Sequence, residues 1–567
     1  MKKRNIFIGI ALPYANGSLH LGHVAGFLGG DILARYHRLI GDNVLLVSGS
    51  DCYGTPIAVE AAERGVQPEE IVNKYHDEFR ENLINGLQFS YDIYTKTATE
   101  SHAKVVQEIF LDLYNKGYLY TKTEKALYSP FLERFLPDRF VEGTCPKCKY
   151  PDARGDQCDQ CGSFLDGTDL IKPRINSKIL QRDVKDEDLR LEFRESEHFY
   201  LKLSALEEKL QKFIEEKSGL WRANARGFAK SFIKQGLKDR AITRDTEWGI
   251  PIPLPGYEKK RIYVWFEAVI GYLSASKLWA KEKGDKDEWK DYWLNKDARH
   301  YYVHGKDNIP FHTIIWPAIL LAEGRLNVPD YIFSSEYLTF EGKQFSKSRG
   351  WGVWLPSFLE SFNPETIRFY LTVSGLETSD TDFIWKDYAH LVNSELIGKF
   401  GNLVHRALSF SKKNFPEGVE VTSSLDKDAK DLLELTKKAF PKVGKLIEEG
   451  KFRSAWLEIK RILEHGNRFV DKKEPWSKIK DEEKREEVQT DLAVIVHVIR
   501  SLGILVSPFL PTASKKIKKF LSCKEEDVWE YPSFSKKIKI ERVEILYQRI
   551  EEEEIEKQYE LLERSCS

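Results

Sequence analysis

The N-terminal region alternates between short apolar segments and longer segments with helical periodicity. A strand at Ile6–Ala11 leads through a turn at Pro13–Gly17 to a helix over Leu21–Leu39. A second strand at Val44–Ser48 is followed by a helix over Thr55–Arg64. Such alternation predicts an α/β domain in which helices cover a parallel sheet.

The alternation is interrupted and later resumes. From about Tyr120 the periodicity weakens, and a segment rich in Cys and Gly follows at Cys145–Gly162. Strand-like segments return at Ile262–Trp265 and His300–His304, each before a helix-like stretch. We therefore expect an insertion between two halves of one sheet.

The C-terminal third has a different pattern. Between Asp387 and Cys523 apolar residues recur at three- and four-residue spacing, as in Leu396–Ser411 and Asp428–Glu449, which is typical of a helical bundle. The tail, with Glu551–Glu554, is predicted to be helical and exposed. The predicted divisions are the first half of the sheet domain at 1–118, the insertion at 119–229, the second half at 230–325, a linking region at 326–386, the helical domain at 387–535 and the tail at 536–567.

Composition narrows the class of protein. A chain of 567 residues is too long for one hydrophobic core, so several domains are expected. The balance of 87 Lys and Arg against 88 Asp and Glu leaves a net charge of −1, so any contact with RNA must come from local patches. No apolar run approaches the length of a membrane-spanning helix.

The start of the chain imitates a secretory signal but does not complete one. Basic residues at Lys2–Arg4 precede the apolar run Ile6–Leu12, which stops at Pro13 without a small-residue cleavage pattern. The cysteines outside the clustered segment are scattered, unlike a secreted disulfide framework. We therefore expect a cytoplasmic protein.

Four cysteines have the spacing of a metal site. Cys145 and Cys148 form one Cys-x-x-Cys pair, and Cys158 and Cys161 form a second after nine residues. Four thiolates complete a tetrahedral zinc site and leave no position for water. This predicts one structural Zn²⁺ in a ribbon over 145–161.

Two histidines stand where the first strand gives way to the first helix. His20 and His23 flank a Leu-Gly step, and Gly22 allows close approach of the backbone. A helix N-terminus offers free N–H groups to phosphate. Histidines near a turn often serve only in packing and capping, but this context favours a phosphate-binding role.

A second segment has phosphate chemistry. Lys343, Ser346, Lys347 and Ser348 lie in a loop that could close over a triphosphate and neutralise charge on leaving pyrophosphate. Alone it would be interpreted as a solvated basic loop. Paired with His20, Gly22 and His23, it indicates an ATP site with Mg²⁺ accompanying the nucleotide.

Together these segments resemble the two signatures of class I aminoacyl-tRNA synthetases, usually written HIGH and KMSKS. Three more segments are similar to the methionyl-tRNA synthetase family, namely Ala11–Gly17, Tyr263–Tyr272 and Gly305–His312, the last in its archaeal and eukaryotic form. The resemblance implies a Rossmann-type catalytic domain, a zinc-containing connective insertion and an α-helical anticodon-binding domain. Gln344 departs from the pattern, because it replaces the first lysine of KMSKS.

The resemblance also implies roles for single residues. Asp51 would hold the ammonium group of the amino acid, and Arg244 matches an arginine used in activation, although the leucine, isoleucine and valine enzymes share that motif. The methionine side chain would lie among Leu12, Tyr14, Val264, Trp265, Ala268, Tyr272 and His312. Asn402, Arg406 and Trp476 match residues that recognise the CAU anticodon. Without the resemblance, Asp51 is a turn residue, Trp265 a core aromatic, and the last three are unremarkable on a bundle.

The expected activity is ATP-dependent formation of methionyl-adenylate and transfer of methionine to the 3′ end of elongator and initiator tRNA(Met). The rivals are a class I synthetase for leucine, isoleucine, valine or cysteine, a nucleotidyltransferase, and a tRNA-binding protein with decayed catalysis. A large editing insertion would favour a rival, but only about 120 residues separate the sheet halves. The chain ends without an appended tRNA-binding barrel, so a monomer is expected.

Overall fold

The computed structural model describes residues 3–136, 140–155, 158, 160–161, 165–176, 189–347, 350–523, 528–534 and 537–566. Within them the N-terminal half is built on a five-stranded parallel sheet, as predicted. Its strands lie in the order Tyr331–Ser335, Arg299–Gly305, Asn5–Ile10, Asn43–Ser50 and Ile93–Lys96. Chain connections run outward in opposite directions from the neighbouring strands Asn5–Ile10 and Arg299–Gly305, so the sheet has a topological switch point between them. Open α/β sheets bind ligands in the crevice at such a point.

Each face of the sheet has its own core. Ile6, Ile8 and Ile10 pack on one side, whereas Phe7 of the same strand packs on the other, as the two-residue period of a strand requires. The helices of this domain are Leu21–Leu39, Thr55–Arg64, Pro68–Arg80, Glu100–Asn115, Val264–Lys283, Lys290–Trp293 and Trp316–Glu323. The predicted helices Leu21–Leu39 and Thr55–Arg64 are confirmed.

The predicted strand over 262–265 is wrong in its second half. Arg261–Ile262 pairs with Thr243–Arg244 and Ile250–Pro251, and the helix Val264–Lys283 begins after Tyr263. Val264 and Trp265 therefore lie in its first turn. A short apolar run suits a buried helix as well as a strand, and its periodicity does not separate them.

The insertion contains two antiparallel sheets. The larger has the order Arg240–Ala241, Glu192–Leu201, Leu119–Ser129 and Arg134–Phe135. The smaller has the order Ala153–Arg154, Val141–Thr144 and Ile171–Ile175, and it carries the cysteine cluster. The helices Glu207–Lys217 and Ala223–Lys234 lead back to the parallel sheet.

The linking region and the C-terminal domain are mostly helical. In the linking region, parallel strands Leu338–Phe340 and Thr381–Phe383 accompany the helices Leu355–Ser361 and Pro364–Val373. The helices that follow are Trp385–Leu391, Val392–Gly401, Asn402–Asn414, Lys427–Glu448, Phe452–Lys473, Pro475–Lys478, Arg485–Leu505, Pro511–Phe520 and Glu552–Cys566. The predicted bundle is thus confirmed.

One described segment, Glu482–Leu505, does reach the length and apolar composition of a membrane-crossing helix. Asp491 and Arg500 interrupt its apolar sequence, so the segment is not an uninterrupted apolar run of that length. Of its most apolar stretch, 83% is buried inside the fold, as in the central helix of a soluble bundle.

The tail is helical as predicted but only partly exposed. Glu551–Glu554 face solvent, whereas Ile555 and Gln558 are buried. The hydroxyl of Tyr559 donates to Glu341 at 2.7 Å, just before the loop that carries Lys347. The tail therefore packs onto the linking region.

A buried ion pair ties three domains together. The Arg368 guanidinium lies 2.7 Å from Asp31 and donates to the carbonyls of Phe509 at 2.8 Å and Leu87 at 3.2 Å. Burial alone would raise the pKa of Asp31, but Arg368, Arg35 and a bond from Ser90 outweigh it and lower that pKa to about 2. Asp31 thus stays ionised and holds the first helix against the C-terminal bundle.

Candidate active site

His20 and His23 lie at the start of the first helix, next to the reversal point of the sheet. His20 is the N-cap of Leu21–Leu39, and its Nδ1 accepts from the backbone N–H of Gly22 at 3.1 Å. A Cβ on Gly22 would lie 2.9 Å from the His20 ring, so only glycine permits this fold-back. Gly26 on the same helix lies close to the backbone of Gly305, since a Cβ on Gly26 would lie 3.1 Å from the Gly305 nitrogen.

The two imidazoles are neutral donors. His23 Nδ1 accepts from the backbone N–H of His20 at 3.1 Å, so in both rings Nδ1 is an acceptor and Nε2 carries the hydrogen. Burial lowers the pKa of His23 to about 3 and that of His20 well below its ordinary value. The pair can therefore offer hydrogen bonds to phosphate oxygens but not positive charge.

The lysine loop closes directly over these histidines. The ring of Phe345 stacks on His20 with centroids 4.4 Å apart and planes 7° apart. Lys347 donates to Oδ1 of Asn16 at 2.9 Å, and a Cβ on Gly17 would lie 2.7 Å from its ammonium. The structure thus brings the two predicted signatures together.

Among the described residues of this loop, Lys347 is the cation that reaches the histidine turn, the segment from Asn16 to His23 that leads into the first helix. Although the side chain as a whole is exposed, removal of water from around its ammonium group lowers the pKa of Lys347 to about 8, while Glu60 and Glu78 oppose the shift. Lys343 instead lies over the ring of Trp351 at 4.3 Å. Ser346 is placed by backbone hydrogen bonds with Trp351, and Ser348 lies outside the described residues.

The predicted methionine pocket is partly assembled around Tyr272 and His312. Both are buried, and the Tyr272 hydroxyl lies 2.8 Å from His312 Nε2. His312 Nδ1 lies 2.9 Å from the Asn308 carbonyl and must donate there, so Nε2 accepts from tyrosine. Burial lowers the pKa of His312 to about 4 and keeps it neutral.

Two other predicted pocket residues, Trp265 and Leu12, contact neighbours of this pair. Trp265 is 37% exposed and meets the ring of Phe311, the neighbour of His312, at 4.1 Å. Leu12 would lie 3.1 Å from a Cβ on Gly271, next to Tyr272. Tyr14 packs against Gly54, whereas Val264 and Ala268 lie on the first turns of the Val264–Lys283 helix. The roles of all these residues in binding methionine stay predictions.

Asp51 lies deep at the carboxyl end of the Asn43–Ser50 strand. Its backbone pairs with Pro13 and Ala15 at 2.8 and 2.9 Å, and its Oδ1 accepts from the Tyr53 N–H at 3.3 Å. Burial raises the pKa of Asp51 well above its ordinary value, and Glu267 would raise it further when ionised. A cation bound here would restore its ionised form.

Glu267 and His102 were not anticipated. Both are buried, and Glu267 Oε2 lies 2.7 Å from His102 Nε2. One buried acid within an apolar helix is a weak sequence signal, and its partner is 165 residues away. Asn16 and Phe345 were missed for the same reason, because each acts through a contact distant in sequence.

Arg244 lies on the rim of an open cavity. Its guanidinium covers the ring of Tyr263 at 4.0 Å, and it donates to the Thr243 carbonyl at 3.0 Å. The cavity is open to solvent and is lined by residues that include Tyr53, Phe140, Arg244, Trp248 and Val264. Arg244 thus shares this cavity with Val264, one of the predicted methionine-pocket residues.

The predicted anticodon residues cluster on the helical domain. The guanidinium of Arg406 lies 4.6 Å over the ring of Trp476, and Asn402 is exposed one turn earlier on the same helix. Glu474 adopts the left-handed conformation at φ 46°, which turns the chain sharply before Pro475 and Trp476. The cluster combines a cation, an amide and an aromatic ring, the groups that bind unpaired bases.

The four cysteines of the insertion converge as predicted. Their sulfurs lie within 4.8 Å of one another, with Cys145 and Cys161 3.9 Å apart and Cys148 and Cys158 3.5 Å apart. Zn–S bonds of about 2.3 Å in a tetrahedron place sulfurs about 3.8 Å apart, so the cluster fits zinc. Lys149, with φ 67°, supplies the tight turn after the first pair.

We expect one zinc ion per purified chain. Replacing Cys148 by Ala should remove the metal, lower the melting temperature and reduce activity indirectly, because structural zinc contributes folding free energy. Metal analysis by mass spectrometry measures the content. Cys523→Ala, outside the cluster, should keep the metal. A wild-type chain with neither zinc nor iron would contradict the assignment.

Comparison with known proteins agrees with this arrangement. Residues 6–408 match the family described as tRNA synthetases class I (M), and residues 415–562 match the anticodon binding domain of methionyl tRNA ligase. The methionine–tRNA ligases of Bacillus cereus (strain 03BB102) and Bacillus anthracis (strain A0248) are each 44% identical over 560 residues, covering 98% of this chain and 99% of theirs.

Solved structures show the same fold. A Mycobacterium tuberculosis methionyl-tRNA synthetase in complex with methionyl-adenylate is 24% identical, with a TM-score of 0.76 over 91% of this chain and 94% of that one. A second structure of the enzyme from that organism, bound by methionyl-adenylate, is 22% identical and has a TM-score of 0.80 over 96% and 100%. The relatives at 44% identity are bacterial, so the expected archaeal and eukaryotic affinity has no support. The chain belongs to the class I methionyl-tRNA synthetase family.

Proposed function

We propose that this protein activates methionine with ATP and transfers the methionyl group to the 3′ end of tRNA(Met), both elongator and initiator. The observation that carries the proposal is the contact between the lysine loop and the histidine turn, beside a buried pocket. Lys347 and the two neutral imidazoles lie together there. Adenylate formation needs such a set of donors and one mobile cation.

In the first step, the methionine carboxylate attacks the α-phosphorus of ATP and pyrophosphate leaves. Little proton transfer is required, so positioning and charge stabilisation provide most of the rate. Nε2–H of His20 and of His23 would donate to phosphate oxygens, while Lys347 would neutralise charge on the leaving group. Mg²⁺ arrives with the nucleotide and shields the phosphates.

The amino acid would enter with its ammonium group toward Asp51. Its thioether chain would lie by the aromatic rings of Trp265 and Tyr272, since sulfur–aromatic contacts are favourable. The hydrogen bond from Tyr272 fixes His312 as a neutral ring. A neutral wall suits an uncharged side chain.

In the second step, a 2′-hydroxyl of the terminal adenosine would accept the methionyl group. Asn402, Arg406 and Trp476 would bind the anticodon far from the reacting atoms. We expect a cytoplasmic monomer, and light scattering of the purified protein measures its mass.

ATP–pyrophosphate exchange with each amino acid in turn tests the proposal. We expect exchange with methionine alone, because the pocket is apolar and aromatic and its histidine is neutral. Exchange with leucine, isoleucine, valine or cysteine instead would identify a sister synthetase. If none of the amino acids supports exchange, the protein would be a nucleotidyltransferase or a protein without catalysis.

A further inference from the structure

The first turn of the Val264–Lys283 helix carries a buried acid, Glu267, whose second oxygen has no partner among the described residues. Glu267 is 0% exposed, and its Oε2 lies 2.7 Å from Nε2 of His102, but its buried Oε1 makes no hydrogen bond there. An unpaired buried acceptor is costly and calls for an explanation.

The hydrogen-bond chain assigns the proton in this pair. The single hydroxyl hydrogen of Ser274 goes to the Gly271 carbonyl at 3.1 Å, so toward His102 the hydroxyl accepts, at 2.7 Å from Nδ1. His102 therefore carries hydrogen on Nδ1. Burial lowers the pKa of His102 to about 3 and raises that of Glu267 well above its ordinary value. Glu267 is therefore a protonated carboxyl that donates through Oε2 to the neutral imidazole of His102. Oε1 is the carbonyl oxygen of Glu267.

This pair adjoins the amino-acid pocket. A Cβ on Gly271 would lie 3.1 Å from Leu12 and 3.9 Å from His102, so Leu12 and His102 meet at one point of the helix. Thr97 lies 3.8 Å from the same point, and its hydroxyl oxygen accepts from the backbone N–H of Cys52 at 2.9 Å, so the pair also lies near the residue that follows Asp51.

We propose that Oε1 of Glu267 is a second acceptor, beside Asp51, for the ammonium group of the amino acid, and that His102 positions it by holding the Glu267 proton on Oε2. Asp51 alone then supplies the negative charge. Glu267 orients the ammonium group through a hydrogen bond and adds no second charge. This inference rests on the proposed function, because it assumes an amino-acid substrate in this pocket.

Two substitutions separate acceptor from charge. Glu267→Gln keeps a carbonyl oxygen and an N–H for His102, so the KM for methionine in pyrophosphate exchange should stay within about threefold of wild type. Glu267→Leu removes the acceptor and should raise that KM by about tenfold or more, as expected for a hydrogen bond to a charged group. The KM for ATP should stay near wild type in both.

A pair of ligands excludes a merely structural role. Methioninol keeps the ammonium group and desaminomethionine lacks it. Glu267→Leu should weaken binding of methioninol by about tenfold and leave desaminomethionine unchanged. The double variant with His102→Phe replaces both partners by apolar groups and keeps the comparison available if Glu267→Leu alone does not fold.

Three results would overturn the inference: equal weakening of both ligands, an unchanged KM in Glu267→Leu or the double variant, or damage by Glu267→Gln as large as that by Glu267→Leu. These are distinct from failure of the proposed function. If wild-type protein activates no methionine, the proposed function fails. If it does and the ligand comparison fails, only the role of Glu267 is wrong.

Discussion

Replacing Lys347 by Ala should slow methionyl-adenylate formation by roughly 10²–10³-fold, as expected for loss of one preorganised stabilising donor. The reason is the composition of the loop. Gln344 brings no charge, Lys343 lies over Trp351, and Lys347 alone of these three contacts the histidine turn. His20 and His23 are neutral, so among the described side chains of the two signatures Lys347 would add positive charge to that of Mg²⁺ at the leaving pyrophosphate. Single-turnover formation of the adenylate measures the effect.

Two controls limit the interpretation. Methionine binding without ATP should barely change in Lys347→Ala, because the loop acts on the triphosphate. Gln344→Lys should be neutral or mildly activating, since the exposed Gln344 adds no charge to the site. A Lys347→Ala enzyme with a near-normal rate would mean that the loop is a surface feature.

The pH profile gives a second readout of the same residue. With a pKa of about 8 before ATP binds, Lys347 is charged below that pH and loses its charge as the pH rises through it. The kcat/KM for ATP reports the free enzyme and should therefore fall above about pH 8. Lys347→Arg keeps its charge throughout and should remove this decline.

Features confined to one segment could be predicted from the sequence. The strands Asn5–Ile10 and Asn43–Ser50 are short buried apolar runs next to amphipathic helices, so their period and length define them. The cysteine cluster could be predicted because the spacing of the two Cys-x-x-Cys pairs brings the four ligands together. The histidine turn combined both signals, a strand end and a helix start.

Features that depend on contacts across the chain could not. The Phe345 ring lies on His20, and the Glu267–His102 bond joins two helices, but neither pair has a spacing that a pattern would reveal. Tertiary packing also decided the boundary at Val264, where an apolar run became a helix. The tail was expected to be exposed because of its glutamates, yet Ile555 and Gln558 on its other face are buried.

Replacing Trp476 by Ala should weaken aminoacylation of tRNA while leaving adenylate formation nearly unchanged. Stacking of a base on an aromatic ring is worth about 1–3 kcal/mol, so kcat/KM for tRNA should fall by roughly 5- to 150-fold. The ring is half-buried, lies edge-on to Phe410 at 5.8 Å and is covered by Arg406 at 4.6 Å. Its removal also takes away the aromatic surface under this guanidinium, which keeps its ion pair with Asp471 at 3.6 Å.

A tryptophan on a helical bundle is unremarkable by itself, so the test is whether Trp476→Ala weakens aminoacylation and spares pyrophosphate exchange. Trp476 and the histidine turn lie on different domains, so a base-binding ring affects only the reaction that contains tRNA. Trp476→Phe should recover part of the loss, since it restores an aromatic face. Trp289→Ala is a matched control, because Trp289 is also half-buried with a cation, Lys277, over its ring at 5.1 Å, and it should alter neither reaction. Equal damage to pyrophosphate exchange and to aminoacylation in Trp476→Ala would instead show that the ring holds the bundle together.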